Sequence, residues 1–283
     1  MEDPASGCTL LEVGRVLSDP DFRKMKLDKC RNPLVTQFWR NAEATQGEQS
    51  MANFAQYVTS KFDTFMANEF MRPIIAQEKS SINFREMMDQ KKIFLVNLSK
   101  GRLGDLNANL IGLIIVGKML MAALARADNL KTDLPPFYLY IDEFQNVTTD
   151  SIATILSEAR KYKLSLTVAH QFIKQLDEKI KNAVFGNVGS LAAFRVGAED
   201  AEALEKQFSP TFSKSDLTKI ENFNAIVRLL VAGKPEPAFN ISIIAPPKGD
   251  AGQIESLKEL SSLTYGRERE EVEQMVRRKY GLK

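Results

Sequence analysis

Phe137-Tyr138-Leu139-Tyr140-Ile141-Asp142-Glu143 decides how this chain is read. Five apolar or aromatic residues have the length of a buried strand, and Pro135-Pro136 precede them. Two acids then close the run. Carboxylates at the C-terminal end of a buried parallel strand are costly unless a cation or a hydrogen-bond donor meets them. That end of the sheet is also where ligands bind in open α/β folds. In nucleoside-triphosphate motors such a pair divides the work. The first acid holds Mg²⁺ through water, and the second polarises the water that attacks the γ-phosphate. A solvent-facing loop after an apolar strand begins the same way, so the flanking segments must arbitrate.

Downstream, Thr149 or Asp150 caps a helix running to about Tyr162, and Leu164 to Ala169 reads as the next strand. His170-Gln171 follow it. A polar amide thus stands at a second strand end beside the acids of the first, where such motors sense the γ-phosphate. Arg160 precedes that strand, at a subunit edge from which it can reach a neighbour's nucleotide; a solvated cation in the last turn of a helix is the plainer account. His170 reads as a loop residue, because a lone histidine seldom binds metal. A helix over about 173–185 and a strand over 190–196 continue the series.

Upstream, Ile93 to Leu98 is a short apolar run of strand length, followed by a loop over 99–104 and a long helix from about Asp105 to Ala127. Strand, helix, strand, helix, strand, helix, strand implies successive crossovers. The expected fold class is α/β, with a mainly parallel sheet covered by helices on both faces. Residues 1–92 look mostly helical. Ser18 or Asp19 caps a helix with Pro20 in its first turn. Phe54, Tyr57, Val58, Phe62, Phe65, Met66 and Phe70 give Ser50 to Ile75 one apolar face, ending near Pro73. Helices over 199–208 and 213–220 and strands over 225–231 and 239–244 come before Pro246-Pro247. Residues 252–283 are charged and helical, broken at Tyr265-Gly266.

Composition narrows the chemistry. The 283 residues have room for one large α/β domain and a smaller helical part. Lys and Arg number 38 against 36 Asp and Glu, so bulk charge does not coat nucleic acid, although a local basic patch is compatible with the total. Two cysteines, Cys8 and Cys30, and one histidine leave almost no room for a zinc cluster or a disulfide scaffold. A Ser-His-Asp triad has only His170 to use. Cysteine usage points to a reducing compartment. Residues 1–20 carry no secretory signal. The most apolar stretch, Leu110 to Ala125, has Lys118 at its centre, where a charge costs about 2.5–3.5 kcal/mol in a membrane. It reads as a buried crossover helix, so no membrane segment is expected.

Tyr140-Ile-Asp-Glu-Phe-Gln-Asn146, Ile155-Leu-Ser-Glu-Ala-Arg-Lys-Tyr162 and Leu166-Thr-Val-Ala-His-Gln171 occur in that order. They resemble the conjugative coupling ATPases of type IV secretion, the TraG/TraD-like branch of the HerA/FtsK superfamily. Phe185-Gly-Asn-Val-Gly189, Phe194-Arg-Val-Gly-Ala-Glu-Asp-Ala201 and Leu229-Leu-Val-Ala-Gly-Lys-Pro235 are similar to the segments that follow in that family. The resemblance covers about 83–247. It implies a RecA-like P-loop NTPase core over 83–247, with a mostly helical segment over 1–82 and a helical tail over 248–283. It implies an ATP-driven, Mg²⁺-dependent, hexameric DNA translocase. Asp142 would serve Mg²⁺, Glu143 the water, Gln171 the γ-phosphate and Arg160 the neighbouring subunit's site, with Arg195 a weaker intersubunit candidate. Secretion-channel and relaxosome proteins are the implied partners. The implied place is the cytoplasm, with the full-length protein at the inner face of the cell membrane.

One element of the family pattern is missing, the phosphate loop G-x-x-x-x-G-K-[ST]. Gly112-Leu-Ile-Ile-Val-Gly117-Lys118-Met119 comes near. Four branched apolar residues suit a buried helix rather than a loop around phosphate, and Met119 has no hydroxyl for Mg²⁺. Ser99 to Gly104 follows a strand and holds two glycines, Lys100 and Arg102, but reads as a turn, or at most a helper phosphate or DNA contact. The chain is therefore expected to be the C-terminal portion of such a motor, its first βαβ unit lying upstream, and to turn over little ATP alone. Two alternatives stay open: a non-catalytic DNA-binding or adaptor remnant of the motor, and an unrelated Mg²⁺-dependent α/β hydrolase using the same acids.

Overall fold

The computed structural model describes residues 9–128, 134–148 and 150–280. Cys8 and Thr149 lie outside the described residues, as do the side chains of Phe54 and Asp150. The chain divides into two compact units. One comprises residues 1–83, 99–107 and 252–283; the other comprises 84–98 and 108–251.

The first unit is helical. Asp19 caps Pro20–Asp28, its Oδ1 accepting the Phe22 N–H at 3.0 Å, while the Ser18 hydroxyl donates back to the Gly14 carbonyl. Pro33–Ala67 is one helix of 35 residues. It stops at Asn68, whose side chain accepts the N–H groups of Phe70 and Met71. Pro73 therefore ends nothing. It lies inside a separate short helix, Met71–Ile75, in a first turn where proline costs no hydrogen bond. The C-terminal helix Arg269–Tyr280 packs Val272 and Val276 with Leu11 and Ala76. Buried Glu12 meets both Lys26, at 3.2 Å, and Lys279. Ser99 to Gly104 forms a four-residue helix, Lys100–Leu103, rather than a loop. Gly104 closes it at φ 78°, a conformation that favours glycine.

The second unit holds the sheets. Strand β1 is Phe137–Ile141 and β2 is Leu164–Val168, as expected from their apolar runs. They pair in parallel, Phe137 opposite Leu164 and Ile141 opposite Val168. Five further strands depart from the expected, mainly parallel sheet. β3, Leu191–Ala193, pairs antiparallel with β4, Asn224–Arg228. β5, Leu230–Val231, and β6, Lys234–Pro235, form a small antiparallel ladder, and β7, Phe239–Ser242, pairs with the far edge of β4. Alternation along a strand fixes its faces but not the direction of its partner.

Ile93 to Leu98 is not a strand. It carries no regular secondary structure, and none of its backbone groups joins a ladder among the described residues. Phe94 packs edge-on against Phe84, and Leu98 lies against the helix carrying Gly112, while Ile93 and Leu95 on the other side are 89% and 86% exposed. The β1–β2 sheet is likewise open on one face, where Tyr138, Tyr140, Ser165 and Thr167 are exposed. The expectation that both faces are covered does not hold over these two strands.

The helix Asp105–Leu124, continued by a 3₁₀ turn to Asp128, is long and apolar enough to cross a membrane by length and composition. Within the second unit it buries Val116, Met119, Leu120 and Ala123, spaced as one helical face, and leaves Lys118 exposed. Gly112 lets it approach its neighbours closely. A methyl group there would lie 2.5 Å from Val147 Cγ1 and 3.1 Å from Leu98 Cδ1. Gly112 thus serves helix packing, as its setting among branched apolar residues suggests, whereas a methyl group at Gly117 would meet nothing within 4 Å.

Arg126, at the end of this segment, is 1% exposed. Its Nη1 donates to the carbonyls of Pro135, at 3.1 Å, and Tyr162, at 2.9 Å, just ahead of β1 and β2. Its Nη2 lies 3.0 Å from Asp89 Oδ1. Burial pulls its pKa down, and Asp89 opposes the shift. Replacing Arg126 by Ala should therefore cost about 3–5 kcal/mol, since a buried charge network loses its centre and both carbonyls lose their donor. Urea unfolding of wild type and Arg126→Ala measures this directly; a loss below 1 kcal/mol would show that the guanidinium holds nothing.

Candidate functional site

The acids sit where β1 ends. Past Ile141 the two strands stay linked: the Ala169 N–H donates to the Ile141 carbonyl at 2.9 Å, and the Phe144 N–H donates to the Ala169 carbonyl at 3.0 Å. Phe144 is fully buried and anchors a 3₁₀ turn over Phe144–Val147. Between strand and anchor the backbone must reverse within two residues. Glu143 does this at φ 49° and ψ 44°, left-handed for a residue with a Cβ. Such backbone costs about 1–3 kcal/mol and persists where surroundings over-determine it.

The result is a compact polar cluster. Gln171 Nε2 donates to Glu143 Oε1 at 2.5 Å, and Gln145 Nε2 donates to Glu143 Oε2 at 2.6 Å. Both carboxylate oxygens are thus held by amides. Asp142 is exposed, and its Oδ1 accepts the Glu143 N–H at 2.9 Å. Asp142, Glu143 and Gln171 come together at the C-terminal ends of adjacent parallel strands. Gln145 was not singled out in the sequence; its signal is its place two residues after Glu143, on the turn the acids open.

Arg160 lies elsewhere. It is exposed in the 3₁₀ turn Ala159–Tyr162, which leads into β2 and so stands at the opposite end of the strand from Gln171. It is not brought to the Glu143 cluster of its own chain. Arg195, also exposed, donates through Nη2 to Asn222 Oδ1 at 3.0 Å.

His170 is half-buried, its ring tilted against Phe144 at 6.5 Å between centroids. Burial pushes its pKa below the ordinary value, against the opposing pull of Asp200 and Glu143. Among the described residues no group of three or more His, Cys, Asp or Glu side chains is placed to hold a metal by protein ligands alone. Asp142 instead offers one carboxylate at an open strand end. That suits an ion such as Mg²⁺, which keeps several waters and takes further oxygens from phosphates. A backbone cradle for those phosphates is not seen among the described residues: Lys100–Leu103 and the Gly112 to Lys118 stretch are both helical.

Residues 136–224 match the TraG-D_C family, described as the TraM recognition site of TraD and TraG. This part of the chain is conjugative coupling protein-like. It contains β1, β2, β3, the Glu143 cluster, Arg160 and the first residue of β4. Among solved structures, the plasmid coupling protein TrwB in complex with ADP and Mg²⁺ superimposes with a TM-score of 0.55 at 11% identity, covering 85% of this chain and 64% of that one. TrwB in complex with the non-hydrolysable GTP analogue GDPNP gives 0.52 at 13% identity, covering 83% and 63%. The chain thus spans just under two thirds of those structures. The likeness is one of fold, shared with those TrwB structures over most of this chain. A search of the curated proteins finds no match.

The single histidine of the chain makes one consequence simple to measure. A histidine with a lowered folded pKa binds fewer protons than in the unfolded chain, so stability falls as pH drops below the unfolded value near 6.5. The one imidazole signal in the NMR spectrum should titrate below that value, and His170→Asn should lose less stability than wild type between pH 7 and pH 5. A midpoint above 6.5 would mean that Asp200 and Glu143 outweigh burial.

Proposed function

We propose that this chain is the C-terminal portion of an ATP-driven, DNA-translocating motor of the conjugative coupling protein class, with residues 83–247 forming its ATPase core. The observation that carries this reading is the Gln171 amide on Glu143, 2.5 Å away, at the C-terminal ends of two adjacent parallel strands. An acid and an amide so placed are what phosphoryl transfer to water requires on the protein side: one group to orient the nucleophile and one to feel the phosphate. The coupling protein-like sequence around them supports the same class.

Roles follow from position. Glu143 orients the attacking water and takes up its proton. Gln171 meets the terminal phosphate and, being hydrogen-bonded to Glu143, links phosphate binding to the freedom of that carboxylate. Gln145 steadies the second oxygen. Asp142 would hold Mg²⁺ through water, and the ion would neutralise charge on the phosphates. Arg160, at the far end of β2, acts on a neighbouring subunit's nucleotide, which calls for a ring of copies, a hexamer by resemblance. In such a ring, head-to-tail contacts set one subunit's edge against the next one's site. DNA is the cargo, and a relaxosome protein resembling TraM is the partner for 136–224. The working place is the cytoplasmic face of the cell membrane.

The absence of a phosphate cradle among the described residues favours a second reading for the chain by itself, a non-catalytic adaptor or DNA-binding remnant. Calorimetric titration of the isolated chain with Mg-ATP should give weak binding and little turnover, since nothing described here wraps the β-phosphate. Micromolar affinity would mean that Lys100 to Gly104, or the stretch from Gly112, binds phosphate after all.

In cells carrying the intact system, Glu143→Gln should abolish conjugative DNA transfer while the protein accumulates normally. The loss falls on the transition state rather than on nucleotide binding. Arg160→Ala should lower ATP hydrolysis by about 10³–10⁵-fold. Co-expressing the two variants should restore part of the transfer, because some interfaces then pair an intact Glu143 with an intact neighbouring Arg160. Wild-type transfer by Glu143→Gln would remove the motor reading.

A further inference from the structure

Gly252–Tyr265 forms a helix of 14 residues, and every one of them is exposed. Ile254, Leu257, Leu260 and Leu263 are 50%, 60%, 61% and 79% exposed. An isolated helix of this length is marginal in water, and helices in proteins gain most of their stability by packing an apolar face. Large apolar side chains gathered on one exposed element mark a contact surface.

The residues sort into two faces. At 3.6 residues per turn, Leu257 and Leu260 lie about 30° to either side of one line along the helix, and Gln253 and Thr264 fall within about 10° of it. Positions 253, 257, 260 and 264 follow the four-three-four spacing of a coiled-coil seam. Ile254 and Ser261 flank that seam on one side, Ser256 and Leu263 on the other. The opposite face carries Glu255, Lys258 and Glu259, with Lys258 Nζ 2.7 Å from Glu255 Oε1. It holds more acid than base, so the helix lacks the basic face by which amphipathic helices settle on anionic lipid.

The order of the residues is self-complementary. It reads nearly alike from both ends about a point between Lys258 and Glu259. In an antiparallel second copy turned about a two-fold axis at that point, Leu257 stands level with the second copy's Leu260, and Gln253 with its Thr264. On the flanks large meets small: Ile254 lies beside the second copy's Ser261, and Leu263 beside its Ser256.

We propose that the Leu257 and Leu260 face pairs, antiparallel and across a two-fold axis, with the same face of a second copy of this chain. Such a contact closes at two copies. It needs neither nucleotide nor DNA, and it does not rest on the motor assignment. Fourteen residues give a contact about 20 Å long. That is small beside a standard interface of about 800 Å² per partner, so the pair is weak and reversible.

Sedimentation equilibrium on the full chain tests this. It should show monomer and dimer in exchange, with a Kd of about 10–100 μM. Leu257→Asp and Leu260→Asp should each weaken dimerisation by about tenfold or more. Glu259→Lys, on the opposite face, should leave it unchanged. The helix buries none of its residues in its own chain, so these variants should stay folded, with thermal unfolding as the control. Direction is read from cysteines, in a chain that also carries Cys8→Ser and Cys30→Ser. Gln253→Cys mixed with Thr264→Cys should give a disulfide-linked dimer under mild oxidation. Gln253→Cys by itself should not, because position 253 in the two copies lies about 16 Å apart along the axis. A chain that is monomeric at every concentration, or a dimer that survives Leu257→Asp, overturns the proposal. So does ready crosslinking of Gln253→Cys by itself, which would mean a parallel pair. Binding to phosphatidylglycerol vesicles with no dimer in solution would give the face to a lipid surface, and equally overturns it.

Discussion

Arg126 carries a guanidinium into a place that excludes water, and the functional end of the sheet depends on it. Two parallel strands of five residues are marginal as a sheet. Here they are pinned at both ends. At the entrance Arg126 gathers the carbonyls of Pro135 and Tyr162, so β1 and β2 start level with each other. At the exit the Phe144 N–H reaches the Ala169 carbonyl. Between these fixed points the ladder has no freedom to slip. A slip of one residue would turn Leu139 and Ile141 toward solvent and carry Gln171 away from Glu143. The register that brings the amide onto the acid is thus set a strand's length away from it.

At the exit the chemistry is one of opposed demands. Glu143 bends through a left-handed conformation while Phe144 is drawn fully inward, so the acid is presented by the same turn that buries its neighbour. Gln145 and Gln171 each take one of its oxygens, from the following turn and from the adjacent strand. A carboxylate held from two sides keeps its orientation, and each oxygen still has a lone pair free to accept from a water. Asp142, held only by a backbone N–H, is freer to move.

Much of this was legible in the residues. The runs 137–141 and 164–168 are apolar, short and ended by polar groups, and each is a strand where expected. The pairing of Gln171 with the acids followed from one helix separating two parallel strands. Other features were not legible, for physical reasons. Ile93 to Leu98 has the composition of a strand, but pairing is a property of two segments, and composition describes one. β3 runs antiparallel to β4 because direction depends on a partner more than 30 residues away. Pro73 looked like a terminator, yet proline is harmless in a first turn. Arg126 drew no attention because arginine is seldom fully buried, and nothing local marks the two carbonyls that draw it in.

The unpaired Ile93 to Leu98 segment also bears on how the molecule behaves in concentrated solution. A six-residue stretch whose N–H and C=O groups join no ladder among the described residues, with Ile93 and Leu95 protruding, offers a template to a chain with a matching edge. In sequence it is bracketed by Lys91 and Lys92 on one side and Lys100 on the other. Charges so placed act as gatekeepers, since stacking copies edge to edge would crowd like charges together. Their repulsion reaches about 10 Å at 0.1 M salt and about 3 Å at 1 M. Lys92 and Lys100 also have acids beside them, Glu86 at 3.9 Å and Asp105 at 3.2 Å, so the guard that the lysines give this segment is local and weakens as salt is raised.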